Sequence, residues 1–151
     1  MATYSFLDTQ ASITGPGGLL SIGQSAGSAE EGVSYALDED QTTTTTGADG
    51  QLMHSLHASS TGTITIRLLK ISPTNSKLQG MYSLQKASAS LWGLNVITIT
   101  NATLGDQITL TLGAFVKTPD NGYAKDGNTL EWVFRGRLDI ALGGGILNNL
   151  A

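Results

Sequence analysis

Side chains of alternating character run through the chain and leave few folds open to it. In Thr63-Ile64-Thr65-Ile66-Arg67-Leu68 the apolar residues fall at every second position, with Thr or Arg between them. Gln107-Ile108-Thr109-Leu110-Thr111-Leu112 repeats the device, and Val96-Ile97-Thr98-Ile99-Thr100 nearly does. Leu130, Trp132 and Phe134 alternate with Glu131, Val133 and Arg135, and Leu138, Ile140 and Leu142 continue the series beyond Gly136. Neighbouring side chains of a strand point to opposite faces, so a period of two specifies antiparallel strands with one face in a core and the other in water. Threonine on the wet face keeps β propensity high without adding charge. Gly136, in the middle of its run, marks a bulge or bend.

Further elements follow from turn and cap signals. Residues 3–14 read as another strand, closed by the turn Gly15-Pro16-Gly17-Gly18, and residues 19–22 return beside it as a hairpin. Weaker strands at 33–37 and 42–46 flank the acidic turn Asp38-Glu39-Asp40. One helix is predicted: Ser72 caps it, Pro73 takes the first helical position, and Leu78, Met81, Tyr82 and Gln85 fall on one side. It should end near Ala87 and lay its apolar stripe over a sheet. Gly143-Gly144-Gly145 and the residues after it read as a flexible C-terminal tail over 143–151. At 151 residues the chain makes a single domain, 1–151, mainly β, with one packed α-helix.

Charge is sparse and uneven. Charged residues make up only 13% of the chain, against the usual quarter, so polarity rests on Thr, Ser, Gly, Asn and Gln. Such a surface suits a protein that works against other protein. No Lys or Arg precedes Arg67, whereas seven acids do, and the later part carries eight bases against five acids. This asymmetry is either docking complementarity between copies or chance placement on a solvated surface. No stretch reaches the ~20 apolar residues of a membrane span, so no membrane anchor is expected. Residues 1–10 lack a basic flank and an apolar run, which argues against a signal peptide and for synthesis in a cytoplasm.

Motifs for chemistry are thin. With no cysteine, disulfides and thiolate sites are excluded. His54 and His57 form H-x-x-H, but no Glu or Cys lies within helical reach to complete a metal site. Asp38, Glu39 and Asp40 lack the oxygen spacing and glycine of a calcium loop and read as a solvated acidic turn. The glycine-rich stretch 15–27 lacks the Gly-Lys-Ser/Thr ending of a phosphate loop. No G-x-S-x-G elbow presents a nucleophile. Asn101-Ala102-Thr103 matches a glycosylation sequon, which matters only in a secreted protein. No catalytic residue, metal or cofactor is therefore expected. Arg67, Arg135 and Arg137 are too few in a net acidic chain to argue a nucleic-acid groove, and an acidic surface rich in Thr and Asn would let DNA slide.

An ordered set of short motifs runs almost the whole length. It begins with Ala2-Thr3-Tyr4-Ser5-Phe6-Leu7-Asp8, Gly15-Pro16-Gly17-Gly18, Ala29-Glu30-Glu31-Gly32 and Gly47-Ala48-Asp49-Gly50. It continues through Met53-His54-Ser55-Leu56-His57-Ala58, Arg67-Leu68-Leu69-Lys70, Ser72-Pro73, Leu91-Trp92-Gly93, Tyr123-Ala124-Lys125-Asp126-Gly127 and Glu131-Trp132. In this order and spacing they resemble the tail tube (major tail tube) proteins of contractile-tailed bacteriophages. The resemblance implies an antiparallel β-sandwich or half-barrel flanked by a helix. It also implies hexameric rings whose sheets join into a continuous barrel and stack into a hollow tube. The implied partners are the chain itself, the tail sheath protein, the tape-measure protein, baseplate and tail-terminator proteins, and DNA in transit without specific binding. The implied location is the virion tail, after assembly in the host cytoplasm. Within that frame residues 33–50 are expected to project as a hairpin or loop into the adjacent ring. Asp38, Glu39, Asp40, Thr42, Thr43 and Thr44 are its expected contact residues, because two strand-like runs flank an acidic turn with no apolar alternation to anchor them. The alternative function is the inner tube of a phage-like bacteriocin or other contractile injection system. A ligand-binding β-sandwich would call for a cluster of exposed aromatics, whereas Trp132 sits in strand alternation and reads as core.

Overall fold

The structure, a computed structural model, describes residues 9–22, 28–101 and 104–143, with the side chains of 22–31 left undescribed. The start of the first expected strand, most of the expected C-terminal tail, and Ala102 and Thr103 of the sequon lie outside these residues.

The alternating segments form the expected strands, and residues 52–56 add one that was not expected. In chain order they are β1 (Thr9–Gly15), β2 (Gly18–Ile22), β3 (Ser28–Leu37), β4 (Thr42–Thr46), β5 (Leu52–Leu56), β6 (Thr61–Leu69), helix α1 (Thr74–Lys86), β7 (Asn95–Asn101), β8 (Asp106–Lys117) and β9 (Thr129–Ala141). Among the described residues seven strands make one antiparallel sheet in the order β2-β1-β7-β8-β9-β6-β3, and β4 and β5 pair separately. Register aligns the apolar positions across the sheet. Ile13 faces Ile97, Ile97 faces Leu110, and Leu110 faces Leu138, forming one row. Tyr35, Ile64, Phe134 and Phe115 form another. The sheet curls. Val33 and Tyr35 of β3 share a cavity of about 170 Å³ with Ile99 of β7 and Ile108 of β8. In a flat sheet, at about 4.8 Å per strand, β3 and β7 would stand roughly 19 Å apart.

Helix α1 closes the apolar face. Its sequence, with Gly80 and several Ser, Thr and Asn residues, has modest intrinsic helicity, so packing must hold it. Leu78 and Met81 are buried in the core, each such burial stabilising by about 1.5–3 kcal/mol. The Trp132 indole N–H donates to Asn75 Oδ1 at 3.0 Å and ties down the first turn. The cap lies one residue later than expected: Pro73 is the N-cap, while Ser72 Oγ accepts the Thr74 amide at 3.3 Å. Beneath the helix Phe115 meets Tyr82, Trp132 and Phe134, with ring centroids 5.5, 5.9 and 4.5 Å away.

Two polar side chains are built into this core. Gln85 and Asn95, both fully buried, exchange amide hydrogen bonds of 2.8 and 2.9 Å, and Gln85 also donates to Pro16 O. A buried amide costs free energy unless its partners are supplied, and here they are. Gly15 makes the room, since a Cβ there would lie 2.0 Å from Asn95 Oδ1.

The expected irregularity near Gly136 exists, but the extra residue is in β8. Pairing with β9 jumps from Thr111↔Arg137 to Ala114↔Arg135, so β8 carries one residue more than its partner. Leu112 takes φ of 54° at the bulge and turns outward, which overturns its expected place in the alternating core face. The phase of burial then shifts from Ile108 and Leu110 to Phe115. Gly136 accepts the bulge because it has no side chain: a Cβ would stand 2.5 Å from Thr111 O.

Candidate assembly surfaces

The β4–β5 hairpin is the least explained element of an isolated chain. All ten of its strand residues are exposed. A lone two-stranded hairpin is marginal in water, and three or more strands or a packed face are needed for independent stability. Its ladder pairs Thr42 with Leu56, Thr44 with His54 and Thr46 with Leu52 on one face, leaving Thr43, Thr45, Met53 and Ser55 on the other. Leu52 is 62% exposed and Leu56 is 87% exposed, both on the same face. At the tip Gly47 N donates to Gln51 O, and Asp49 Oδ1 accepts the Gln51 amide.

This pairing corrects the expected hairpin. The hairpin or loop expected over residues 33–50 divides: residues 33–37 pair with β6 at the sheet edge, and 42–46 pair with β5. The physical reason is anchorage: Val33 and Tyr35 pack on the core, whereas the Thr run has nothing apolar to bury. The exposed hairpin therefore spans residues 42–56.

The six expected contact residues separate accordingly. Thr42, Thr43 and Thr44 lie on the hairpin, with Thr43 Oγ1 2.6 Å from His57 Nε2 and Thr44 Oγ1 2.9 Å from His54 Nδ1. Asp38, exposed in the turn after β3, is tied to the sheet: its Oδ2 lies 3.1 Å from Arg135 Nε and its Oδ1 accepts Thr63 Oγ1–H at 2.6 Å. Glu39 and Asp40 are exposed in the connection to β4. His54 and His57, three residues apart on an extended segment, fall on opposite sides and cannot converge on one ion. Among the described residues no group of three or more His, Cys, Asp or Glu side chains could hold a metal. The sequence reading missed Leu52, Met53 and Leu56, although a strand after the Asp49-Gly50 turn was a signal that could have found them.

Two further surfaces stand out. Among the described residues β2 and β3 are the sheet's outer strands, each laddered on one side only. The face away from α1 is lined by hydroxyl and charged side chains: cross-strand neighbours Ser12, Thr98 and Thr109 form one row, and Thr63 opposite Arg135 belongs to another. Arg67 Nε sits 3.1 Å from Glu131 Oε1, with its Nη1 donating to Ser34 Oγ at 3.2 Å. The asymmetry of charge along the chain is thus partly used internally, through Asp38 and Arg135.

Among the described residues the fold is a curled antiparallel sheet sealed on one face by a helix and polar on the other, with β2 and β3 each laddered on one side only. The chain matches the family model for the Bacteriophage PhiTE tail tube protein over residues 1–143 and belongs to that family. It is a structural tail tube protein of the virion. Among solved structures, a chain of the PVC sheath/tube terminator of an extracellular contractile injection system aligns with a TM-score of 0.54 at 15% identity, covering 93% of this chain and 98% of that one. A chain of the anti-feeding prophage tube-terminating cap aligns at 0.52 and 13% identity over 94% of each chain. A chain of the PVC sheath–tube complex in the extended state gives 0.51 and 13% identity, over 87% of this chain and 88% of that one. At such identities the likeness is one of fold. No curated protein sequence matches the chain significantly.

Proposed function

We propose that the subunit polymerises as hexameric rings stacked into the inner tube of a contractile tail, and that it acts by geometry without catalysis. The hairpin carries this reading: Leu52 and Leu56 share one exposed face of a two-stranded element that needs a partner, and a second copy in the next ring supplies it. Thr42, Thr43 and Thr44 take part through the same element, while Glu39 and Asp40 flank its base. Within a ring, the outer edges of β2 and β3 join neighbouring sheets, since open strand edges are otherwise a liability. Closing contacts make rings, and non-closing ones stack them into a filament.

The sheet's polar face then lines the lumen and conducts DNA without specific binding, with a tape-measure protein held there during assembly. The helix side turns outward to a sheath, and the ends of the tube meet baseplate and terminator proteins. The likeness to chains from sheath–tube and terminator assemblies supports the sheath and terminator among these partners. Assembly takes place in the host cytoplasm. The same likeness favours, as a second reading, the tube of a bacteriocin or other injection system, which packaged DNA would distinguish. Negative-stain microscopy of the concentrated protein tests the main reading. Hollow filaments or stacked rings are expected, and a monomer that persists when concentrated and seeded with tail parts would overturn it.

A further inference from the structure

On the reading that the polar face lines a DNA-conducting tube, we propose that carboxylates of the same subunit mask the arginines of this face, so that passing phosphates meet ion pairs and not free cations. Arg135 is held by Asp38 at 3.1 Å, and that carboxylate is itself fixed by the Thr63 hydroxyl. Arg67 is held by Glu131 at 3.1 Å and by Ser34. Lys117, opposite Val133 on this face, lies 3.5 Å from Asp120. Arg137 and Asp139 stand two residues apart on β9, on the same face and both exposed. Three of the four basic side chains on this face thus lie within 3.5 Å of a carboxylate, Arg137 stands between Thr61 and Thr111 with Asp139 as its nearest acid along the strand, and the intervening positions are largely threonine.

Each pair has at least one solvent-exposed partner, so water screens it and it contributes little to stability. Their effect is on the field. A cation about 3 Å from a carboxylate presents a dipole whose potential fades faster than that of a lone charge, within a screening length of about 8 Å. In a tube the distinction is multiplied, because a weak phosphate contact repeated in every subunit becomes an avid one along the strand. DNA would then stall where it has to slide.

The test compares three sets of tubes: the unaltered chain, the double variant Asp38→Asn/Glu131→Gln, and the control Gln79→Lys/Ser83→Lys. The control places the same two added charges on exposed positions of α1, on the other side of the sheet. Tubes are incubated with a short fluorescent DNA duplex, treated with nuclease, pelleted and measured for protected label. The unmasked variant is expected to protect DNA at least about tenfold more than either other set at ~50 mM salt, and to lose about tenfold of that by ~200 mM, the dependence for two phosphates per subunit. Retention equal to the unaltered chain, or equal to the control, overturns the masking. Should the double variant not assemble, fluorescence anisotropy of the same duplex with unassembled subunits makes the comparison, and unchanged affinity overturns the proposal equally. If the unaltered chain forms no tubes at all, it is the tube reading that fails, and microscopy separates that result from tubes that form but retain no DNA.

Discussion

Gly136 and Leu112 lie on the two sides of one irregularity, and together they decide how the widest part of the sheet packs. Leu112 adopts φ of 54°, a conformation that costs a non-glycine residue about 1–2 kcal/mol, and in doing so delivers Phe115 to the core. The backbone of the bulge comes so close to β9 that a Cβ on Gly136 would meet Thr111 O at 2.5 Å and Leu112 O at 3.0 Å. Both atoms are main chain and cannot swing aside. Gly136→Ala is therefore expected to lower unfolding stability by about 1–3 kcal/mol, read as a lower urea midpoint with an unchanged slope. Stability equal to the unaltered chain would show that the bulge relaxes freely. The glycine was legible in the sequence as a break, but its strand was not. An alternation pattern records side-chain polarity and carries no signal for which of two paired strands holds the extra residue, so Leu112 reads as core until the pairing is known.

At the scale of elements, the strands with strong alternation and the helix with its stripe of Leu78, Met81, Tyr82 and Gln85 could be placed from sequence. The partners of the Thr run could not. Five identical residues carry no register, and a one-residue slip changes nothing that water would notice. What fixes β4 against β5 is the turn at 47–51 and the two Thr–His contacts, which only the folded chain brings together. This gives the hairpin a sharp test. His57 N donates to Gln41 O at 2.9 Å, so the ends of the hairpin are adjacent and a short Gly-Ser linker can replace residues 42–56 without straining the body. The shortened chain is expected to keep its unfolding midpoint and to lose tube growth in the microscope. Leu52→Ser/Leu56→Ser should have the same effect with the hairpin kept, changing monomer stability by less than about 0.5 kcal/mol because both positions are exposed. Normal tubes from either variant would remove the hairpin from the contact between rings.

For the whole molecule, the outer strands matter more than any pocket. The sheet order places β2 at one border and β3 at the other, and these two bear unequal surfaces. β3 is tied down through Val33 and Tyr35 on the core and through the Arg67 contact to Ser34. β2 is short and carries Leu19, 70% exposed, beside Leu20 in the core. Proteins that must stay monomeric protect such a border with charge, commonly lysine, yet the chain has no Lys or Arg before Arg67. Adding that protection should separate folding from assembly. In Leu19→Lys/Ser21→Lys both side chains lie on the wet side of β2, so the fold and its unfolding midpoint are expected to persist, while sedimentation shows monomer at concentrations where the unaltered chain sediments as rings or tubes. If β2 joins its neighbour edge to edge, suppression should hold at high salt too, because lysines at the strand border hinder sheet pairing sterically as well as by charge. Recovery of tubes at high salt would mean that the lysines act only through repulsion and that β2 is near the contact without forming it. Unimpaired assembly at every salt concentration would place the junction within the ring on some other surface.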